Sequence, residues 1–316
     1  MTTPNIDERF ERLAQALAPG GRLLRVWPLK GGISAEMTGL EIEHPGGRTS
    51  RVVVRRPSEA ALAQNPQAAE HEFRLLQALH SHGLAVPQPH YLDRSGAIFG
   101  APCLVNEYVD GAPEFAPADP VDAAVQLAEH LARIHSVDPA SLGLSFVPQR
   151  PGGCAELVPE RSPGARAALE TERIRDALGR AAPPQPGAAA LLHGDYWPGN
   201  VLWRAGRLAA VIDWEDAALG DPLADLAISR LDLLWIFGPE AMRAFTDRYR
   251  SLTAIDDAGL PYWDLCAALR LARMVSDDLA GWAAFFAPYG RHDITERAIR
   301  EHYGRFVDEA LRGLRS

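Results

Sequence analysis

Three polar residues interrupt the apolar run at 191–203, LLHGDYWPGNVLW: His193, Asp195 and Asn200. Thirteen residues after Asn200, a second run, AVIDWED, carries Asp213. An acid and an amide five apart, on a loop that Pro198-Gly199 forces to turn, can face one point in space. A second acid at a strand end can face it too. Two or three hard oxygen donors around one point suit Mg²⁺, which takes carboxylate, amide carbonyl, water and phosphate oxygens. An acid beside the metal but not on it can orient a hydroxyl and accept its proton. Phosphoryl transfer needs this layout, because positioning and charge neutralisation do nearly all of its catalysis. In that chemistry Asp195 is the base, and Asn200 and Asp213 hold the metal.

Such residues need a scaffold, and the 316-residue chain with 47% apolar content is long and apolar enough to build one. The pattern of the first ~110 residues predicts a small strand-rich unit. A helix at 5–18, capped by Asn5, precedes an antiparallel meander over RLLRVWPL, AEMTGLEIEH and TSRVVVRR. A helix over NPQAAEHEFRLLQALHSHG follows, with Asn65 as cap and Pro66 in its first turn. AIFGAPCLVNEYVDG supplies one more strand. The remainder changes character, with helical patterns at 121–135, 222–236, 239–251, 261–288 and 293–314, and a proline- and glycine-rich region over most of 145–190.

Charge and cysteine usage narrow the function classes. The net charge is −9; it is +1 over 1–105 and −10 over 106–316, which disfavours nucleic acid and anionic membranes as partners. Cys103, Cys154 and Cys266 are odd in number and far apart, which argues for a reducing compartment and against a disulfide or zinc cage. The polar, acidic start is no secretory signal. A soluble cytoplasmic protein is the expectation. Lys30 is the only lysine beside 31 arginines, and this excludes a Walker A loop, which needs Gly-Lys-Ser/Thr.

His193-Gly194-Asp195, Asn200, Ile212-Asp213-Trp214, Gly220-Asp221-Pro222 and Asp225-Leu226 follow one another in an order that resembles the aminoglycoside phosphotransferase family. These are small-molecule kinases with a protein-kinase-like fold. The resemblance implies an α+β, two-lobed architecture: a small antiparallel-sheet lobe with one helix at 1–106, a hinge at 107–111, and a larger, mainly helical lobe at 112–316. It implies ATP and Mg²⁺ as cofactors and a small-molecule hydroxyl as acceptor. Gly31, Gly32 and Ser34 then cover the phosphates. On the third strand, alternation puts Val53 and Arg55 on one face, so Val53 can roof the adenine while Arg55 reaches the phosphates. Glu72 is the partner for Arg55, with Glu70 as runner-up, and Lys30 competes with Arg55 for the phosphate contact. The Glu107 carbonyl and the Val109 amide would pair with adenine. His193 and Asp221 brace the catalytic loop. Trp197, Glu215, Asp216, Asp277, Asp278 and Trp282 are candidates for the acceptor.

Within this resemblance the acceptor stays open among aminoglycoside, macrolide, choline, homoserine and hydroxyacyl-thioester. The alternative class is a nucleotide-binding regulator without turnover. A protein kinase is disfavoured, since the seven residues between Asp213 and Asp221 leave no room for a peptide platform.

Overall fold

In a computed structural model, residues 7–29, 35–150, 153–154, 169, 171–184, 187–275 and 278–314 are described. Asn5, Lys30, Gly31, Gly32, Ser34 and Asp277 fall outside them. The chain divides into two compact units, Met1–Asp110 and Gly111–Ser316.

The first unit is built on a five-stranded antiparallel sheet. Its strands are β1 (Arg22–Pro28), β2 (Ala35–Glu43), β3 (Thr49–Pro57), β4 (Pro89–Asp93) and β5 (Cys103–Glu107), in the order β1-β2-β3-β5-β4. Helix α1 (Glu8–Leu17) begins at Asp7, whose side chain accepts from the Arg9 amide. Leu13 and Ala14 of α1 join Leu40, Ile42, Val52, Val54 and Val105 in one apolar core. Alternation therefore sends Val53 and Arg55 to the opposite face. The expected helix start at Asn65 is corrected: a short α2 (Glu59–Gln64) is capped by Ser58, and α3 (Ala68–Ser81) begins after the turn. Asn65 closes that turn by accepting from the Gln67 amide. Strand β4, which the sequence reading did not anticipate, lies at the sheet edge, where Pro89 costs no ladder bond.

In the second unit, α4 (Pro120–His135) starts at Asp119, whose carboxylate accepts from the Val121 and Asp122 amides. Helix α5 spans Thr171–Arg180. Two short antiparallel pairs follow: β6 (Ala190–Leu192) with β9 (Ala218–Gly220), and the hairpin of β7 (Val201–Arg204) and β8 (Arg207–Val211). The helices α6 (Leu223–Ile236), α7 (Pro239–Leu252), α8 (Leu260–Val275), α9 (Leu279–Ala284) and α10 (Glu296–Gly313) complete it. The single helix expected over 261–288 is broken because Asp278 turns its carboxylate onto the Gly281 amide at 2.7 Å and starts α9 anew.

The cysteine expectation is overturned. Cys154 and Cys266 form a disulfide across 112 residues of sequence, with Cα atoms 5.6 Å apart; only Cys103 is free, and it is buried. Spacing along the chain carried no information about this approach, and the compartment argument from cysteine count loses its support. Among the described residues no helix is long and apolar enough to cross a membrane.

Candidate active site

The loop that carries Asp195 runs from β6 to β7. Hairpin register determines what meets there. Val201 pairs with Val211, and the Ile212 amide donates to the Asn200 carbonyl at 2.9 Å. Asn200 and Asp213 are thus carried side by side on the ends of one hairpin. The Asn200 Nδ2 donates to the Asp195 carbonyl at 3.0 Å and to Asp195 Oδ2 at 2.9 Å. The other carboxylate oxygen, Oδ1, accepts from Arg270 Nη2 on α8 at 2.6 Å. Two donors therefore fix the rotation of the Asp195 side chain.

His193 is fully buried. Its Nε2 lies 2.9 Å from the Ile212 carbonyl, and its Nδ1 lies 3.2 Å from the Asp195 amide. Only one tautomer satisfies both: Nε2–H donates and Nδ1 accepts, so the ring is neutral. Burial pushes its pKa down, in the same sense. His193 links the loop to the strand end that leads into Asp213.

Asp225 on α6 is also fully buried, and it accepts from the His193 amide at 2.6 Å and the Gly194 amide at 2.9 Å. His135 Nε2 approaches the same carboxylate at 3.3 Å, and His135 Nδ1 meets the Tyr249 hydroxyl at 2.7 Å. Burial alone would raise the pKa of Asp225. The hydrogen bond and charge of His135 and the His193 amide outweigh it and hold the carboxyl below the usual carboxylate range. One turn on, Ser229 Oγ donates to the Tyr196 carbonyl at 2.7 Å. A further turn on is Asp232, whose burial pushes its pKa up to about 7 against the nearby charge of Arg270. The positions 225, 229 and 232 form one polar stripe on a buried helix, and its first two members hold the loop that carries Asp195.

The brace expected at Asp221 is corrected accordingly. Asp221 accepts from the Leu223 amide and from Trp263 Nε1, each at 2.9 Å, so it starts α6 and ties it to α8. The loop amides go to Asp225.

Gly194 explains why this loop has no arginine after its histidine. Its φ is +86°, and a Cβ there would lie 2.2 Å from the Asp216 carbonyl oxygen. Gly194→Ala should cost about 1–2 kcal/mol from the left-handed backbone alone, with displacement of Asp216 added. We expect a melting temperature lower by several degrees and at least about tenfold weaker turnover, because the shift reaches Asp195. Wild-type melting and turnover in this variant would contradict the packing.

Asp213 has φ +66° and ψ +63°, a left-handed conformation that Asp tolerates better than most residues. Among the described residues no cluster of three or more His, Cys, Asp or Glu is arranged to hold a metal. The donor set instead fits Mg²⁺, which needs only one or two protein oxygens and takes the rest from phosphate and water. The Asn200 amide nitrogen is engaged by Asp195, so its Oδ1 and the Asp213 carboxylate are the oxygens that could take this role.

In the first unit, Arg55 Nε donates to Glu72 Oε2 at 2.8 Å, with both side chains under a tenth exposed. Glu70 pairs with Arg94 instead. Val53 is half-buried on the Arg55 face. Glu107 ends β5 with its amide on the Gln88 carbonyl, and Val109 follows in irregular chain. The Tyr108 ring packs under the Arg51 guanidinium at 4.8 Å.

The acceptor candidates separate. The Trp197 ring folds over Gly199, where a Cβ would lie 2.1 Å from it, and reaches Phe115 and Trp282. Asp216 is exposed like its neighbour, yet its pKa is raised, first by partial loss of solvation and then by the charge of Asp195. Glu215 is exposed. The Asp278 carboxylate is engaged as a helix cap. Sequence reasoning missed Arg270, Ser229, His135 and Asp232. The stripe on α6 was visible as Asp225, Ser229 and Asp232 at helical spacing in a mostly apolar helix, but one arginine among 31 gave no signal.

The phosphotransferase enzyme family matches this chain over residues 27–269, and the chain belongs to that family. Its fold is kinase-like. It is similar to a solved aminoglycoside 2'-phosphotransferase-IIIa in complex with GDP, at TM-score 0.61 and 18% identity over 98% of both chains. The chain is 32% identical to acyl-CoA dehydrogenase family member 11 of Gallus gallus over 198 residues, which is 58% of this chain and 25% of that protein. It is 30% identical to a homoserine kinase of Nitrobacter winogradskyi over 224 residues, 64% of this chain and 66% of that one. The chain thus spans about a quarter of the length of the dehydrogenase relative.

Proposed function

We propose that this protein transfers the γ-phosphoryl group of magnesium-bound ATP to a hydroxyl of a small molecule. The observation that carries the reading is the Asp195 carboxylate, fixed from two sides by Asn200 and Arg270 on a loop anchored by buried Asp225. Asp195 orients the acceptor hydroxyl and takes its proton. Asn200 and Asp213 would hold Mg²⁺, which when bound would neutralise phosphate charge. Arg55, oriented by Glu72, meets the nucleotide phosphates, and Val53, Glu107 and Val109 receive the base. Guanidinium serves here because it can fork across a carboxylate and still present N–H groups to phosphate. Two similar proteins support the reading: an aminoglycoside 2'-phosphotransferase-IIIa solved with GDP, and a homoserine kinase.

A silent regulator would have no use for an oriented base, and Asp195, Asn200 and Asp213 are all present in this sequence. Calorimetry tests the metal assignment. Wild-type protein should bind ATP at least about tenfold more tightly with Mg²⁺ than without, a gain of about 1.4 kcal/mol. Asp213→Asn should lose most of that gain. Equal affinities for both proteins under both conditions would contradict the site.

A further inference from the structure

An aromatic surface in the Gly111–Ser316 unit begins on the catalytic loop itself. Trp197, two residues from Asp195, lies 5.8 Å from Phe115 and 5.9 Å from Trp282 between ring centroids. Trp282 stacks on Phe285 at 5.7 Å and 9°, and Tyr289 packs on Phe115 at 4.7 Å. Phe115 is buried, at 1% exposure, and floors the group. Phe285 and Tyr289 are not buried, at 42% and 41% exposed. Met274 is 55% exposed and lies one helical turn beyond Arg270, on the same side of α8. Three of the four exposed large hydrophobics among the described residues thus lie at 274–289.

The chemistry of this face is apolar. Its rings contact one another edge to face, tilted and in a stack. The nearest acid along α9, Asp278, is spent on the Gly281 amide. Trp282 Nε1 is buried and hydrogen-bonds no protein atom. Apolar walls with few polar groups are the usual make-up of a small-molecule site.

We propose that the acceptor is an alcohol on an uncharged aliphatic or aromatic body, seated on this face with its hydroxyl toward Asp195, and not a polycationic sugar. The inference rests on the phosphotransferase reading. In the step it implies, the acceptor oxygen bonds to the γ-phosphorus, the bond from that phosphorus to the β-bridging oxygen breaks, the hydroxyl proton passes to Asp195, and ADP leaves.

The test is calorimetry on the full chain with Mg²⁺ and a non-hydrolysable ATP analogue, using 4-phenylbutan-2-ol and kanamycin as probes. The alcohol should bind at least about tenfold more tightly than kanamycin. Phe285→Ser, at an exposed position that folding tolerates, and Trp282→Ala should each weaken it several-fold. Tighter kanamycin binding, or alcohol binding unchanged in both variants, would overturn the proposal. So would a concentration-dependent dimer that Phe285→Ser abolishes in a protein that binds no alcohol, which would give the face to a second copy. Mass spectrometry with ATP separates the two levels. Alcohol binding that depends on Phe285 and Trp282, with no phosphate reaching the alcohol, upholds the apolar seat and overturns the phosphotransfer reading instead.

Discussion

Asp195→Asn should lower kcat by about 10²- to 10⁴-fold, the range that removal of a general base covers, while ATP affinity stays near wild type. The amide keeps the size of the carboxylate and can still accept from one of its two neighbours, Asn200 or Arg270. It loses the charge and the capacity to take a proton. A change confined to kcat marks a group that acts in the transition state; a raised KM for ATP with unchanged kcat would mark a binding residue. Steady-state kinetics on one phosphorylated substrate, beside calorimetry of ATP, separates them.

The second large effect is expected at Asp225, in stability. Its carboxylate is fully buried and satisfies the amides of His193 and Gly194 as well as His135. Asp225→Asn would turn an N–H group toward one of these donors and leave a buried amide unmet. Breaking a buried charged network of this kind costs about 3–5 kcal/mol. The loop that carries Asp195 would loosen with it, so turnover falls together with stability. The effect has a sign in pH. The folded-state pKa of Asp225 is depressed, so its contribution is present above the unfolded carboxylate value and is lost as pH falls through the folded value. Denaturant titrations of wild type and Asp225→Asn should show a large gap at neutral pH that closes in strong acid. A gap that is small at neutral pH, or that widens on acidification, would contradict the assignment.

These two residues also show how far the sequence was legible. Asp195, Asn200 and Asp213 could be read because their spacing is local: a tight loop and a hairpin bring them together, and the register of β7 on β8 does so here. The kinase-like fold followed from the same motif and from the shift between strand and helix patterns. The brace was assigned to Asp221, the acid of the Gly-Asp-Pro turn. A residue four positions on, inside the helix, holds the loop, because helical periodicity turns Asp225 and Ser229 inward on one face. Arg270 was not legible: its contact with Asp195 spans 75 residues and depends on how α8 packs. The Cys154–Cys266 bridge was hidden for the same reason. The break between α8 and α9 rests on a single cap that an apolar periodicity does not register.

The most direct test of the account follows phosphorus. Wild-type protein, ATP and Mg²⁺ are incubated with homoserine, choline, kanamycin, a macrolide and 4-phenylbutan-2-ol in turn, and each mixture is observed by ³¹P NMR. A phosphomonoester signal should grow in step with ADP for at least one acceptor, dependent on Mg²⁺ and lost in Asp195→Asn. ATP turned over only to inorganic phosphate with every acceptor, at the same rate in wild type and Asp195→Asn, would contradict it.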